Sequence, residues 1–259
     1  MICDMHVHTK YSYDSDVELE SYCLEAINKG IRAICFTEHI DNNINDYGYG
    51  YYNANEFFEN FLAIKEKYKA ELNLLCGIEF AEPHLYQDNL MEYIKLPYDY
   101  ILGSIHFWYK DMFPTHMLKA EISAETCYEY YWDEVLAAVK VGGLKVGGFN
   151  ALAHIDFPKR YYDKLLLNVD KLQEICNELV KNDICLEINT SSLRKNSTES
   201  MPDKEILSIY KSCGGKYITV GSDAHNVDEL SADYAYAKNL IYYYAFEEII
   251  FKQRNKYVL

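Results

Sequence analysis

The sequence of 259 residues has no run of about 18 apolar residues, so no membrane-spanning helix is expected. Its first residues, MICDMHVHTK, lack a basic start followed by an apolar stretch, so no secretory leader is expected. None of the eight cysteines, at positions 3, 23, 35, 76, 127, 176, 185 and 213, forms a C-x-x-C pair, which removes the usual thiolate zinc signatures. Most sit in apolar surroundings, such as "AICF" and "LLCG", and read as reduced thiols of a cytoplasmic protein. Basic residues are few: 25 Lys and Arg stand against 40 Asp and Glu, a net charge of −15. That balance argues against a broad nucleic-acid surface. There is no C-x5-R, no G-x-S-x-G and no G-x-x-x-x-G-K-[ST], so the usual cysteine, serine and phosphate-loop machineries are absent. No linker, low-complexity segment or repeat interrupts the chain, and residues 1–259 are expected to form a single domain.

What is present is a large apolar fraction, 49%, arranged as alternating strand-like and helix-like segments. "ICDMHVH" reads as a strand, and "VELESYCLEAINK" as a helix with a Ser15/Glu18 capping box before it and Gly30 stopping it. "IRAICFTEH", "LNLLCGIEF", "YDYILGSIHF", "GGFNALAHID", "ICLEIN" and "KYITVGSDAH" read as further strands. Between them fall helical patterns, among them "NANEFFENFLAIKEKYK", "SAETCYEYYWDEVLAAVK", "VDKLQEICNELVKN" and "PDKEILSIYKSCG", the last with Pro202 at its start. "DELSADYAYAKNLIYYY" reads as a final helix. About seven strand–helix units in strict alternation predict an α/β fold with a parallel sheet, closed as a barrel. "GGLKVGG" joins a helix to the next strand and reads as a tight turn on the barrel face opposite the strand ends.

The polar residues support the barrel. Six of the eight histidines stand at the carboxyl ends of predicted strands: His6, His8, His39, His106, His154 and His225. Glu38, Glu79 and Asp223 fall at the same level. In a parallel barrel those ends converge on one face, where active sites are built. Side chains two apart on a strand share a face, so Asp4, His6 and His8 are expected to project together, as are Asp223 and His225. Imidazole and carboxylate without thiolate suit Zn, Fe or Mn.

The series D-x-H-x-H, T-E-H, G-I-E, G-S-I-H, A-H-I-D and G-S-D-A-H, in this order from Asp4 to His225, resembles the polymerase-and-histidinol-phosphatase (PHP) superfamily. "EINTSSLRK" and "AHIDFPKRY" are similar to its histidinol-phosphate phosphatase branch. The resemblance implies a distorted (β/α)7 barrel holding two or three divalent ions. It implies that His6, His8, Glu79 and Asp223 bind one ion, that Glu79 bridges to a second completed by His106 and His154, and that His39 and His225 serve a third. Relatives commonly place a histidine after the first strand, where this chain has Asp14 in "KYSYDSD". Asp14 is the candidate replacement, with a helix-start role as the alternative. Asp4 is expected to orient a ligand histidine.

Such a site stays electropositive inside an acidic protein and suits a small anionic substrate, a phosphate monoester attacked by a metal-activated water. Glu79, Asp223 and His225 are the expected catalytic residues. Arg160 and Arg194 are the expected phosphate-binding residues, because both follow strand ends and a guanidinium grips two phosphate oxygens. Trp108, Asp111 and "YGYGYY" are candidates for the leaving group. The leading expectation is hydrolysis of L-histidinol phosphate. The alternatives are a superfamily phosphoesterase acting on nucleotides or phosphotyrosine, an amidohydrolase-type C–N hydrolase, and a metal-binding protein without catalysis. Helix patterns leave the oligomeric state open.

Overall fold

The computed structural model describes residues 1–143, 148–162, 164–195 and 197–259. Among the described residues nine strands form one sheet in chain order, β1 (Cys3–Val7), β2 (Ala33–Ile40), β3 (Asn73–Ala81), β4 (Tyr100–Ser104), β5 (Ala151–Leu152), β6 (Cys185–Asn189), β7 (Tyr217–Gly221), β8 (Glu247–Lys252) and β9 (Asn255–Val258). Strands β1 to β8 pair in parallel, and β9 folds back antiparallel on β8. The first seven close on themselves: Val7 bridges Ala224 just beyond β7, and Asp223 N donates to the His6 carbonyl at 2.8 Å. This is the expected α/β barrel, distorted because β8 also pairs with the start of β7.

Eight α-helices among the described residues surround the sheet: α1 (Leu19–Lys29), α2 (Ala54–Lys67), α3 (Gln87–Ile94), α4 (Pro114–Lys119), α5 (Ala124–Val141), α6 (Val169–Lys181), α7 (Lys204–Ser212) and α8 (Tyr234–Tyr243). Helix α1 ends as the sequence predicts, with Gly30 left-handed at φ 69°. Its start differs: Glu18 is the N-cap and no side chain caps the helix. Ser15 instead donates to the carbonyls of His8 and His225, tying the first loop to the last site loop. The predicted final helix divides into a short 3-10 turn over Val227–Glu229 and then α8. The centre of the turn expected in "GGLKVGG", residues 144–147, lies outside the described residues.

Two apolar layers hold the barrel. The outer one lies between sheet and helices and includes Ile34, Phe36, Leu74 and Ile78. The inner one fills the barrel floor with Cys3, Met5, Ala33, Cys35, Leu75, Tyr100 and Leu102, closed below by Ile249, Ile250 and Phe251 of β8. Tyr100 stacks on Phe251 with ring centroids 5.3 Å apart. Fully burying side chains of this size contributes about 1.5–3 kcal/mol each. The upper part of the interior is polar, and the floor sets the height at which that polar layer begins.

The alternation expected in β1 fails at one point. Asp4 pairs with Ile34 but Val7 pairs with Phe36, so β1 carries one extra residue there, a bulge. Cys3 and Met5 belong to the inner layer, whereas Val7 belongs to the outer one. The parity switch turns His6 and His8 into the barrel and leaves Asp4 on the other side. Asp4 accepts from Ser222 N at 2.9 Å, Ser222 Oγ at 2.6 Å and Ser231 N at 2.7 Å, so it clamps the loop after β7 and does not orient an imidazole.

Candidate metal centre

The strand ends converge as the sequence predicts. His6 Nε2 and His8 Nε2 face each other at 2.9 Å. Glu79 Oε2 lies 3.2 Å from the first and 3.4 Å from the second, and Asp223 Oδ1 lies 3.7 and 3.5 Å from them. The other Glu79 oxygen reaches His154 Nε2 at 2.8 Å and His106 Nε2 at 3.3 Å. Asp14 Oδ2 stands 3.2 Å from His225 Nε2 and 3.6 Å from His39 Nε2. The rings of His39 and His225 stack on His8 with centroids at 4.1 and 4.3 Å. The nine residues thus form three adjoining groups that share Glu79 and the His8 ring.

The donor set fits divalent ions. Tetrahedral coordination with bonds of about 2.0–2.2 Å places ligand atoms about 3.3–3.6 Å apart, close to the spacings around His6, His8, Glu79 and Asp223. Several overlapping His and carboxylate clusters, including His6–His8–Glu79 and Glu79–His106–His154, are compact enough to bind several ions. The lone pairs also point inward. His6 Nδ1 lies 2.6 Å from Glu187 Oε1, a carboxylate that can only accept, so that ring nitrogen carries the hydrogen. His8 Nδ1 lies 3.1 Å from Ser12 Oγ, whose own hydrogen goes to Glu38 at 2.7 Å. Both Nε2 atoms are therefore free to ligate, and at 2.9 Å they need a cation or a proton between them.

The electrostatics agree. Five carboxylates, Asp14, Asp41, Asp46, Glu79 and Asp223, line a cavity of about 240 Å³ whose only Lys and Arg linings among the described residues are Lys195 and Arg160. Asp41, Glu79 and Asp223 are buried, and buried carboxylates gathered so closely call for cations. Burial alone would lower the His6 pKa, but Glu187, Glu79 and Asp223 outweigh it and hold it well above the ordinary value. Burial would raise Glu79, but His6, His39 and His106 hold it well below the usual carboxylate range. Asp223 is depressed against burial by His6 and Arg160. His8 is lowered by burial and by His39 and His225. Protons now favoured on His6 are those that a metal ion displaces.

Arg160 also enters the cavity. Its Nη2 donates to Asp223 Oδ2 at 2.7 Å and Ser191 Oγ at 2.6 Å, and its guanidinium lies 4.9 Å from the Phe157 ring centroid. Arg194 does not line the cavity. Its Nη2 donates to the Ser222 carbonyl at 2.6 Å and its Nε stands 3.5 Å from Glu229. The cation that its loop brings to the cavity is Lys195, with a pKa lowered by Arg160 and by burial. Trp108 packs on Tyr131, and Asp111 binds Asn43 and Asn45; neither lines the cavity. The acidic and aromatic wall is made instead by Asp41, Asp46, Tyr13, Phe113 and Tyr161. Glu187 and Ser12 are not singled out by sequence alone. The signal for Glu187 was the same period-two pattern that marked the histidines, in "EINTS" at the end of a strand.

A parallel barrel with imidazoles and carboxylates gathered for several ions at its strand ends defines a metal-binding hydrolase of the βα-barrel class. The chain belongs to the PHP domain family, whose match covers residues 4–191. It is similar to a probable histidinol-phosphatase of Clostridium acetobutylicum, 28% identical with 98% of each chain covered. A probable histidinol-phosphatase of Thermotoga maritima is 30% identical, with 86% of this chain and 83% of that one covered. Among solved structures, histidinol phosphate phosphatase of Lactococcus lactis complexed with Zn, L-histidinol and phosphate superposes with a TM-score of 0.86 at 25% identity. That match covers 99% of this chain and 98% of the other.

Proposed function

We propose that this chain is a metal-dependent phosphomonoesterase that hydrolyses L-histidinol phosphate to L-histidinol and phosphate, with residues 1–259 acting as one domain. The observation that carries the reading is the Arg160 guanidinium held beside a cluster built for several cations, in a chain similar end to end to a phosphatase solved with histidinol and phosphate.

In this reading His6, His8, Glu79 and Asp223 hold one ion, Glu79, His106 and His154 a second, and Asp14, His39 and His225 a third. Zn, Fe or Mn bound there would supply charge for the phosphoryl oxygens and a water nucleophile active near neutral pH. The protein's own groups do the rest. Arg160, anchored through one nitrogen by Asp223 and Ser191, keeps its remaining donors for phosphate. Glu79, Asp223 and His225 line the same cavity and would stand beside a bound phosphate. Asp41 and Asp46, with Tyr13, Phe113 and Tyr161, give the cationic leaving group an acidic, aromatic wall. The shared carboxylate position belongs to Glu79 and not to a lysine, which disfavours the C–N hydrolase alternative.

No helix among the described residues is long and apolar enough to cross a membrane. Eight free cysteines, seven of them buried, suit a reducing compartment such as the cytoplasm. Phosphate release by the Mn- or Zn-loaded protein tests the substrate. Histidinol phosphate should be turned over well ahead of sugar phosphates, nucleotides and phosphotyrosine; comparable or faster release from any of these defeats the assignment.

A further inference from the structure

Of the seven strands that close the barrel, β6 alone contributes no expected metal ligand, yet Glu187 in that strand and Ser191 just beyond it touch the site. Glu187 is buried. Its Oε1 lies 2.6 Å from His6 Nδ1, and its Oε2 accepts from the backbone N–H of His154 and from Asn189 Nδ2, both at 3.1 Å. His6 and His154 belong to different groups of the cluster, so one carboxylate contacts both. The His154 backbone is left-handed, at φ 24°, a conformation that a non-glycine residue keeps only when its surroundings enforce it. The Glu187 bond to its N–H is part of that enforcement. Space for the carboxylate comes from Gly221, where an added Cβ would fall 2.3 Å from Glu187 Oε1 and 2.4 Å from His6 Cβ. No Lys or Arg pairs with Glu187 among the described residues, so His6 is its only ion-pair partner.

The geometry points to Glu187 as a positioning residue for two ion sites at once. It fixes His6 with Nδ1 protonated and Nε2 turned to the cation, and it fixes the strained backbone that aims His154. This deepens the metal-dependent reading above and rests on it. Glutamine at this position keeps the shape but brings an NH₂ group. That group can donate to His6 Nδ1 and so leave the hydrogen on Nε2, where it blocks ligation, as an amide in place of a histidine-orienting carboxylate does elsewhere.

The test is zinc binding by full-length Glu187→Gln, with stoichiometry from elemental analysis and affinity from competition with a chelator. The fold is checked by circular dichroism. The expected result is a folded protein with zinc affinity weakened about 10–100-fold at one or two sites, against an unaltered wild type. Wild-type stoichiometry and affinity in the variant overturn the inference. If the variant does not fold, nitrogen NMR of the zinc-loaded wild type decides. A His6 ring with Nδ1 protonated and Nε2 metal-bound supports the assignment, and the opposite arrangement overturns it. A wild type that binds no zinc, manganese or iron defeats the underlying metal reading instead, so the two failures are distinguishable.

Discussion

At the scale of single residues, the two arginines singled out from the sequence part company. Arg160 lines the cavity, whereas Arg194 ties the Ser222 carbonyl to its own loop. Arg160→Ala should lower kcat/KM for a phosphate monoester by about 10²–10³, the usual loss for one charged donor at a transition state. Arg194→Ala should lower Tm more than it lowers kcat/KM; steady-state kinetics and a thermal melt on both variants check the contrast. Glu82 offers a second test. It is buried, accepts from the backbone N–H groups of His106 and Phe107, and burial pushes its pKa from 4.5 up to about 7. A carboxyl raised on folding stabilises the protein fully below pH 4.5 and loses that contribution as pH rises towards 7. Glu82→Gln keeps an acceptor for both amides and cannot ionise. It should gain stability relative to wild type across this window, by about 2–3 kcal/mol at neutral pH, measured by denaturant melts at pH 4.5 and 7.5. The residue types of the cluster were legible because six histidines fell at one level of seven strands. The side-chain direction of Arg194 was not, since a loop residue has no periodicity to fix it.

At the scale of elements, the parallel order and its helices followed from alternating periods and from Gly30, and the structure agrees. Two features did not follow. The bulge in β1 leaves no mark in "CDMHV", because apolar Cys3, Met5 and Val7 alternate without a break with polar Asp4 and His6; it moved Asp4 away from the histidines it seemed to accompany. The β8–β9 hairpin also lacks a sequence signal. Its turn is Gln253–Arg254, both left-handed at φ 48° and 63°, where Asn-Gly would have announced it. That hairpin closes the floor of the barrel, so Phe251→Ala should cost about 3–5 kcal/mol by deleting the ring stacked on Tyr100. Because the floor lies below the polar layer, metal content per folded molecule should stay unchanged, which elemental analysis of the purified variant checks.

At the scale of the whole molecule, a chain of net charge −15 concentrates five carboxylates around one cavity. Without cations that arrangement opposes folding; with them it is neutralised. Chelation should therefore lower Tm, and restoring zinc or manganese should raise it with ligand concentration. An ion present at 1,000 times its Kd contributes about 4 kcal/mol. A melting point indifferent to chelator would contradict the cluster's role.

The seam that closes the barrel joins its first strand to the loop after its seventh: Val7 meets Ala224, and His6 shares a backbone bond with Asp223. During synthesis the first histidines leave the ribosome more than two hundred residues before the aspartate that completes their group. A nascent or prematurely released chain therefore displays His6 and His8 without their last partner. The complete four-residue group can therefore assemble only after β7 and the loop that follows it have been made.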